Sequence, residues 1–130
     1  MGAITAMKPR SGIIQLKTFH VQEKRRRVAQ IEAMIADFQR MANDLEKEIA
    51  GEESRAGITD VNHFAYPTYA RAAAQRRDNL LQSADDLKGQ LNDALADLDD
   101  ALSELRRVEA LDDRESMRER PVQRTISAHI

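Results

Sequence analysis

The chain has 130 residues, 42% of them hydrophobic, which is enough for one small domain and too little for two ordinary ones. Twenty Lys and Arg stand against 22 Asp and Glu for a net charge of −2, so global charge points to neither nucleic acid nor an anionic membrane as partner. Charged residues reach 32% while aromatics are 4% and Trp and Cys are absent; this favours elongated helices over a compact core, and excludes disulfides, thiolate metal sites and a catalytic thiol.

Residues 1–11 read as an N-terminal extension outside the fold. No continuous apolar segment follows a basic start, so no secretory signal is expected, and Met7 before Lys-Pro-Arg reads as a second start. Nowhere does the chain approach the roughly 18 uninterrupted apolar residues of a membrane span, so a soluble, cytoplasmic protein is expected.

A first helix is expected over 12–56. Ile14, Val21, Val28, Ile35, Ala42 and Ile49 recur every seven residues, with Lys17, Lys24, Ile31, Phe38 and Leu45 interleaved, which is a heptad seam. The two lysines weaken its beginning, so the best packing is expected from Val28 to Ile49, with Met34 and Met41 widening the same face. A turn over 57–66 follows. Gly57 is suited to the left-handed conformation that ends a helix, Ile58 to folding back as its hydrophobic contact, and Thr59 or Asp60 to capping a short turn.

Pro67 suits the first turn of a second helix, expected over 67–120, because its missing donor is not needed there. Leu80, Leu87, Ala94, Ala101 and Val108 form one set of its seam and Ala84, Leu91, Leu98 and Leu105 the other, with Leu95 and Leu102 broadening the stripe. So wide a stripe is commoner in a hairpin or bundle than in a narrow parallel dimer. The expected fold is therefore all-α: an antiparallel two-helix coiled-coil hairpin, monomeric or weakly dimeric, with each helix about 65 Å long in a rod. After Pro121 the heptads stop, and 121–130 reads as a flexible tail.

Catalytic and metal chemistry find little support in this pattern. His20, His63 and His129 match no metal-ligand spacing, and the carboxylates of Asp85, Asp86, Asp97, Asp99, Asp100, Asp112 and Asp113 read as a solvated face. Gly51 and Gly57 lack the Lys-Ser or Lys-Thr of a phosphate loop. No catalytic residue, cofactor or metal is expected. Two clusters remain. Glu23 precedes the basic turn Lys24, Arg25, Arg26 and Arg27, which is either paired at i,i+4 with Glu23 or Glu32 or free to dock on an acidic partner. His63 to Tyr69 holds Phe64, Tyr66 and Tyr69, three of the five aromatics, as either a plug closing the seam or a partner-binding tip.

Met7-Lys8 through Leu16-Lys17, Glu23-Lys24-Arg25-Arg26 and Val28 to Ile35 resemble the opening helix of the flagellar export protein FliJ family. His63-Phe64-Ala65-Tyr66-Pro67 and Ala72 to Arg77 resemble the turn and second helix of its shorter members, so the likeness spans roughly Met7 to Arg120. The family is an antiparallel two-helix coiled coil similar to the stalk of rotary ATPases. The resemblance implies a non-enzymatic stalk of the flagellar type III protein export apparatus, cytoplasmic and associated with the basal body. Its implied partners are the hexameric export ATPase, the export gate membrane protein and export chaperones, with no nucleic acid. On that reading Lys24, Arg25, Arg26 and Arg27 meet the ATPase ring, and Phe64, Tyr66 and Tyr69 meet the gate. The alternative is a stand-alone coiled-coil adaptor or chaperone holding clients along its flank.

Overall fold

The computed structural model describes residues 9–128, with side chains from Arg10 to Arg118. Among these residues α1 runs Pro9–Ala56 and α2 runs Thr68–Ala128, and the helices pack against each other as the expected all-α hairpin. Neither helix is long and apolar enough over any window to cross a membrane. The chain divides into two compact units, Val28–Asp93 and the remainder, each a pair of helical segments.

In the Val28–Asp93 unit the core is the expected heptad seam, with Val28, Ile31, Ile35, Ala42 and Ile49 of α1 buried against Ala70, Ala73, Ala84 and Leu87 of α2. Ile31 is the most enclosed large side chain. Three of these four buried α2 residues are alanines, so most of the bulky side chains at this seam come from α1. The antiparallel sense is visible in the side chains that cross: Arg77 donates to Glu46 at 2.6 Å, Tyr69 to Glu48 at 2.7 Å and Tyr66 to Glu53 at 3.0 Å. In the other unit Val21 is buried from α1, and Ala94 and Val108 from α2. Arg10 pairs with Asp112 at 3.2 Å and Lys17 with Glu104 at 3.6 Å, again antiparallel.

The turn follows from local backbone chemistry. Gly57 takes φ +70°, and the carbonyl of Glu53 accepts from the N–H groups of both Gly57 (2.8 Å) and Ile58 (3.3 Å). These are the bonds that a left-handed residue makes after a last helical turn. Ile58 then packs on the cluster of Ile49, Tyr66, Ala70 and Ala73, as expected of the residue after Gly57. Asp60 rather than Thr59 organises the next bend, its carboxylate accepting from the Asn62 N–H at 2.9 Å and its carbonyl from the His63 N–H at 3.1 Å. The Pro67 carbonyl accepts from Arg71 N–H at 3.1 Å, so Pro67 caps α2 from just outside it.

Several expectations are corrected. α1 begins at Pro9, inside the expected extension 1–11, because a proline ring pre-sets the dihedral of a first helical turn and its missing N–H has no helical partner to lose. Residues 1–8 lie outside the described residues. α2 continues through Pro121 to Ala128, where a flexible tail 121–130 was expected; a proline removes one backbone bond and strains the preceding turn, but a helix already 50 residues along needs no new nucleus to continue past it. His129 and Ile130 lie outside the described residues. Met34 and Met41 do not widen the buried face: they are 44% and 38% exposed. Leu95 is likewise exposed, while Leu102 is half-buried.

Candidate interaction surfaces

The loop between the helices separates its three aromatics. Tyr66 is buried as the plug of the seam, 6% exposed, with its hydroxyl on Glu53 and the Arg71 guanidinium 5.4 Å above its ring. Burial, then the hydrogen bond to Glu53, raises its phenol above the ordinary value of 10.0. Tyr69 lies along the flank, half exposed, and its hydrogen bond to Glu48 raises its phenol as well. Phe64 alone stands out, 96% exposed, its ring stacked on His63 at a centroid distance of 4.8 Å. The backbone beneath is held firmly. Ala65 N–H donates to His63 Nδ1 at 3.0 Å, Tyr66 N–H to the His63 carbonyl at 3.0 Å, and Arg71 reaches the Val61 carbonyl at 2.9 Å. An ordered loop thus presents one apolar ring to solvent, an arrangement that lowers the entropy lost when such a ring is captured.

Lys24, Arg25, Arg26 and Arg27 are all exposed on α1. None forms an ion pair with another described residue, so the pairing with Glu23 or Glu32 is not made. The inward heptad position expected for Lys24 is not occupied by a buried side chain, whereas Lys17 is half-buried and reaches Glu104. Lys24 instead joins Lys17, His20, Asp97, Asp100 and Glu104 along an open groove of about 660 Å³. Hydrogen bonds from Arg107, at 2.5 and 3.1 Å, hold the Glu104 carboxyl below the ordinary carboxylate range. Similarly, Glu46 first and Asp78 second raise the Arg77 guanidinium further above its already high value.

Among the described residues no charged side chain is buried, and no group of three or more His, Asp or Glu is placed to hold a metal ion. His20 lies in the open groove and His63 in the turn, far apart in sequence and in different units. What the surface offers is contact: a basic turn, an aromatic knob, and grooves along the helix pair. Sequence reading missed that Ala70 and Ala73 are core, although the alternating steps of four and three through Tyr66, Ala70, Ala73, Arg77 and Leu80 carry the seam there. Comparison of the chain with protein-family models, with curated proteins and with solved structures finds no match.

Proposed function

We propose that the chain is a non-enzymatic coiled-coil stalk of the flagellar type III export apparatus, linking the hexameric export ATPase to the export gate and assisting export chaperones, in the cytoplasm at the basal body. The reading rests on the resemblance of the opening helix and the turn to the FliJ family. The observation that supports it most is the exposed run Lys24 to Arg27, which makes no ion pair with another described residue and leaves Arg25, Arg26 and Arg27 open to an acidic partner surface, while Lys24 lines a groove with acids of α2. Phe64 and Tyr69 are the tip residues that remain accessible for the gate, while Tyr66 belongs to the hairpin's own core.

Mixing the chain with the export ATPase and measuring hydrolysis and ring formation tests the reading. Arg25→Glu, Arg26→Glu and Arg27→Glu together are expected to keep helicity and remove ATPase stimulation, and the parent effect is expected to weaken as salt shortens the Debye length from about 8 Å. Phe64→Ala with Tyr69→Ala is expected to spare stimulation and impair the link to the gate. No stimulation by the parent chain refutes the stalk. Stimulation lost with the aromatic pair but kept with the arginine triple reverses the assignment of the two ends. The adaptor reading is favoured instead by the exposed methionines on one flank, and suppression of client aggregation without any ATPase effect identifies it.

A further inference from the structure

Within the Val28–Asp93 unit the two flanks of the seam are unlike. On one of them Met34 and Met41, seven residues apart, hold the same edge of α1 and are 44% and 38% exposed. Met41, Leu45, Tyr69 and Leu80 line a groove of about 260 Å³ there, together with Asp44, Glu48 and Arg76. Seven-residue steps from Tyr69 reach Arg76, Ser83 and Gln90, so beyond Tyr69 this edge of α2 carries only polar side chains beside the methionines. The same steps put Asp37 and Asp44 on the outer border of α1, and Asp86 and Asp93 on that of α2.

Charge on this flank is one-sided. Within this unit Asp37, Asp44, Glu48, Asp86 and Asp93 stand against two cations on these stripes, Arg76 and Arg55, and Arg55 is already engaged by Glu52. Asp37 is engaged by Arg40, Glu48 by the Tyr69 hydroxyl and Asp86 by Gln82, but Asp44 and Asp93 make no ion pair among the described residues. On the opposite flank Arg77 answers both Glu46 and Asp78, and Lys88 answers Asp85 at 3.6 Å. Three acids of that flank, Glu46, Asp78 and Asp85, are therefore engaged from within. The docking flank is an apolar strip, built on the most adaptable of apolar side chains, with Asp44 on one border and Asp93 on the other left without an ion pair among the described residues.

We infer that this flank docks a cationic amphipathic helix of a partner protein, whose apolar stripe lies along Met34, Met41 and Tyr69 while its Lys and Arg side chains meet Asp44 and Asp93. A groove between two helices accepts a third helix rather than a strand, since it offers no open backbone edge for pairing. A second copy fits poorly. A two-fold contact through this flank sets the same patch against itself and brings carboxylate to carboxylate. The inference does not depend on the stalk reading.

The test uses the full chain and two fluorescein-labelled designed helices that share one Leu/Ala stripe, one with Lys and one with Glu on the polar face, followed by anisotropy at about 0.15 M salt. The Lys helix is expected to bind saturably and the Glu helix not at all. Met34→Gln with Met41→Gln is expected to weaken binding by about tenfold or more, and since both residues are exposed the helicity should stay as in the parent. Asp44→Asn with Asp93→Asn is expected to weaken binding and flatten its salt dependence. Asp78→Asn with Asp85→Asn removes the same total charge from the opposite flank and is expected to leave binding unchanged. Equal binding of both helices, equal loss from both asparagine pairs, no saturable binding of the Lys helix, or a self-association abolished by the methionine changes would each overturn the inference.

Discussion

One substitution made at three glycines tests the reversal of the chain more sharply than any core mutation. Gly57 takes φ +70°, and a Cβ built there meets nothing within 4 Å, so an added methyl group conflicts only with its own backbone. Holding alanine in the left-handed region costs about 1–2 kcal/mol. Restriction of the unfolded chain offsets roughly 0.4–1 kcal/mol of this, leaving Gly57→Ala destabilising by about 1 kcal/mol. Gly51 and Gly89 lie within α1 and α2, and a Cβ there also meets nothing within 4 Å. At such exposed helical positions alanine is favoured by about 0.8–1 kcal/mol, so the same exchange is expected to stabilise. Urea unfolding followed by helical circular dichroism should place the three variants on opposite sides of the parent with unchanged m, and melting points should separate by about 4 °C per kcal/mol. If Gly57→Ala stabilised as Gly89→Ala does, the helix would have to run straight through 57, as in an intermolecular coil, and the hairpin would be refuted.

Further outcomes follow from the seam and its polar border. Ile35→Asp places a carboxylate at a buried seam position and is expected to cost about 3–5 kcal/mol, whereas Asp99→Ala on the surface should stay within about 0.5 kcal/mol; equal loss of helicity would show a misassigned seam. Tyr66, through burial and then its hydrogen bond to Glu53, and Tyr69, chiefly through its hydrogen bond to Glu48, titrate above 10.0 in the folded state. Their contribution is thus complete below the ordinary phenol value and is lost as pH rises through the raised one, so the Tyr66→Phe, Tyr69→Phe chain should lose less stability on going alkaline than the parent. Glu104 runs the other way. Its depressed carboxyl contributes above the ordinary carboxylate range and ceases to as pH falls through its folded value, and Arg107→Gln should move its NMR titration midpoint upward; an unmoved midpoint would detach Glu104 from Arg107.

Much of the architecture is legible in the sequence because it is local. The seven-residue recurrence from Ile14 to Ile49, Gly57 at the reversal with Ile58 behind it, and Pro67 at the threshold of α2 each depend on a few neighbouring dihedrals. The tertiary structure decided what periodicity cannot carry. Phe64 and Tyr66 stand two residues apart in an irregular loop, and only the bonds of Asp60, His63 and Glu53 send one outward and the other into the seam. Alanine is as common on a helix surface as in a core, so Ala70 and Ala73 became core only when Ile49 and Tyr66 closed over them. The exposure of Met34 and Met41 depends on the small and polar Ser83 and Gln90 along the neighbouring edge of α2, about 50 residues away in sequence. A heptad tells which side chains point toward a partner helix, but whether they are covered is decided by the volume that partner brings.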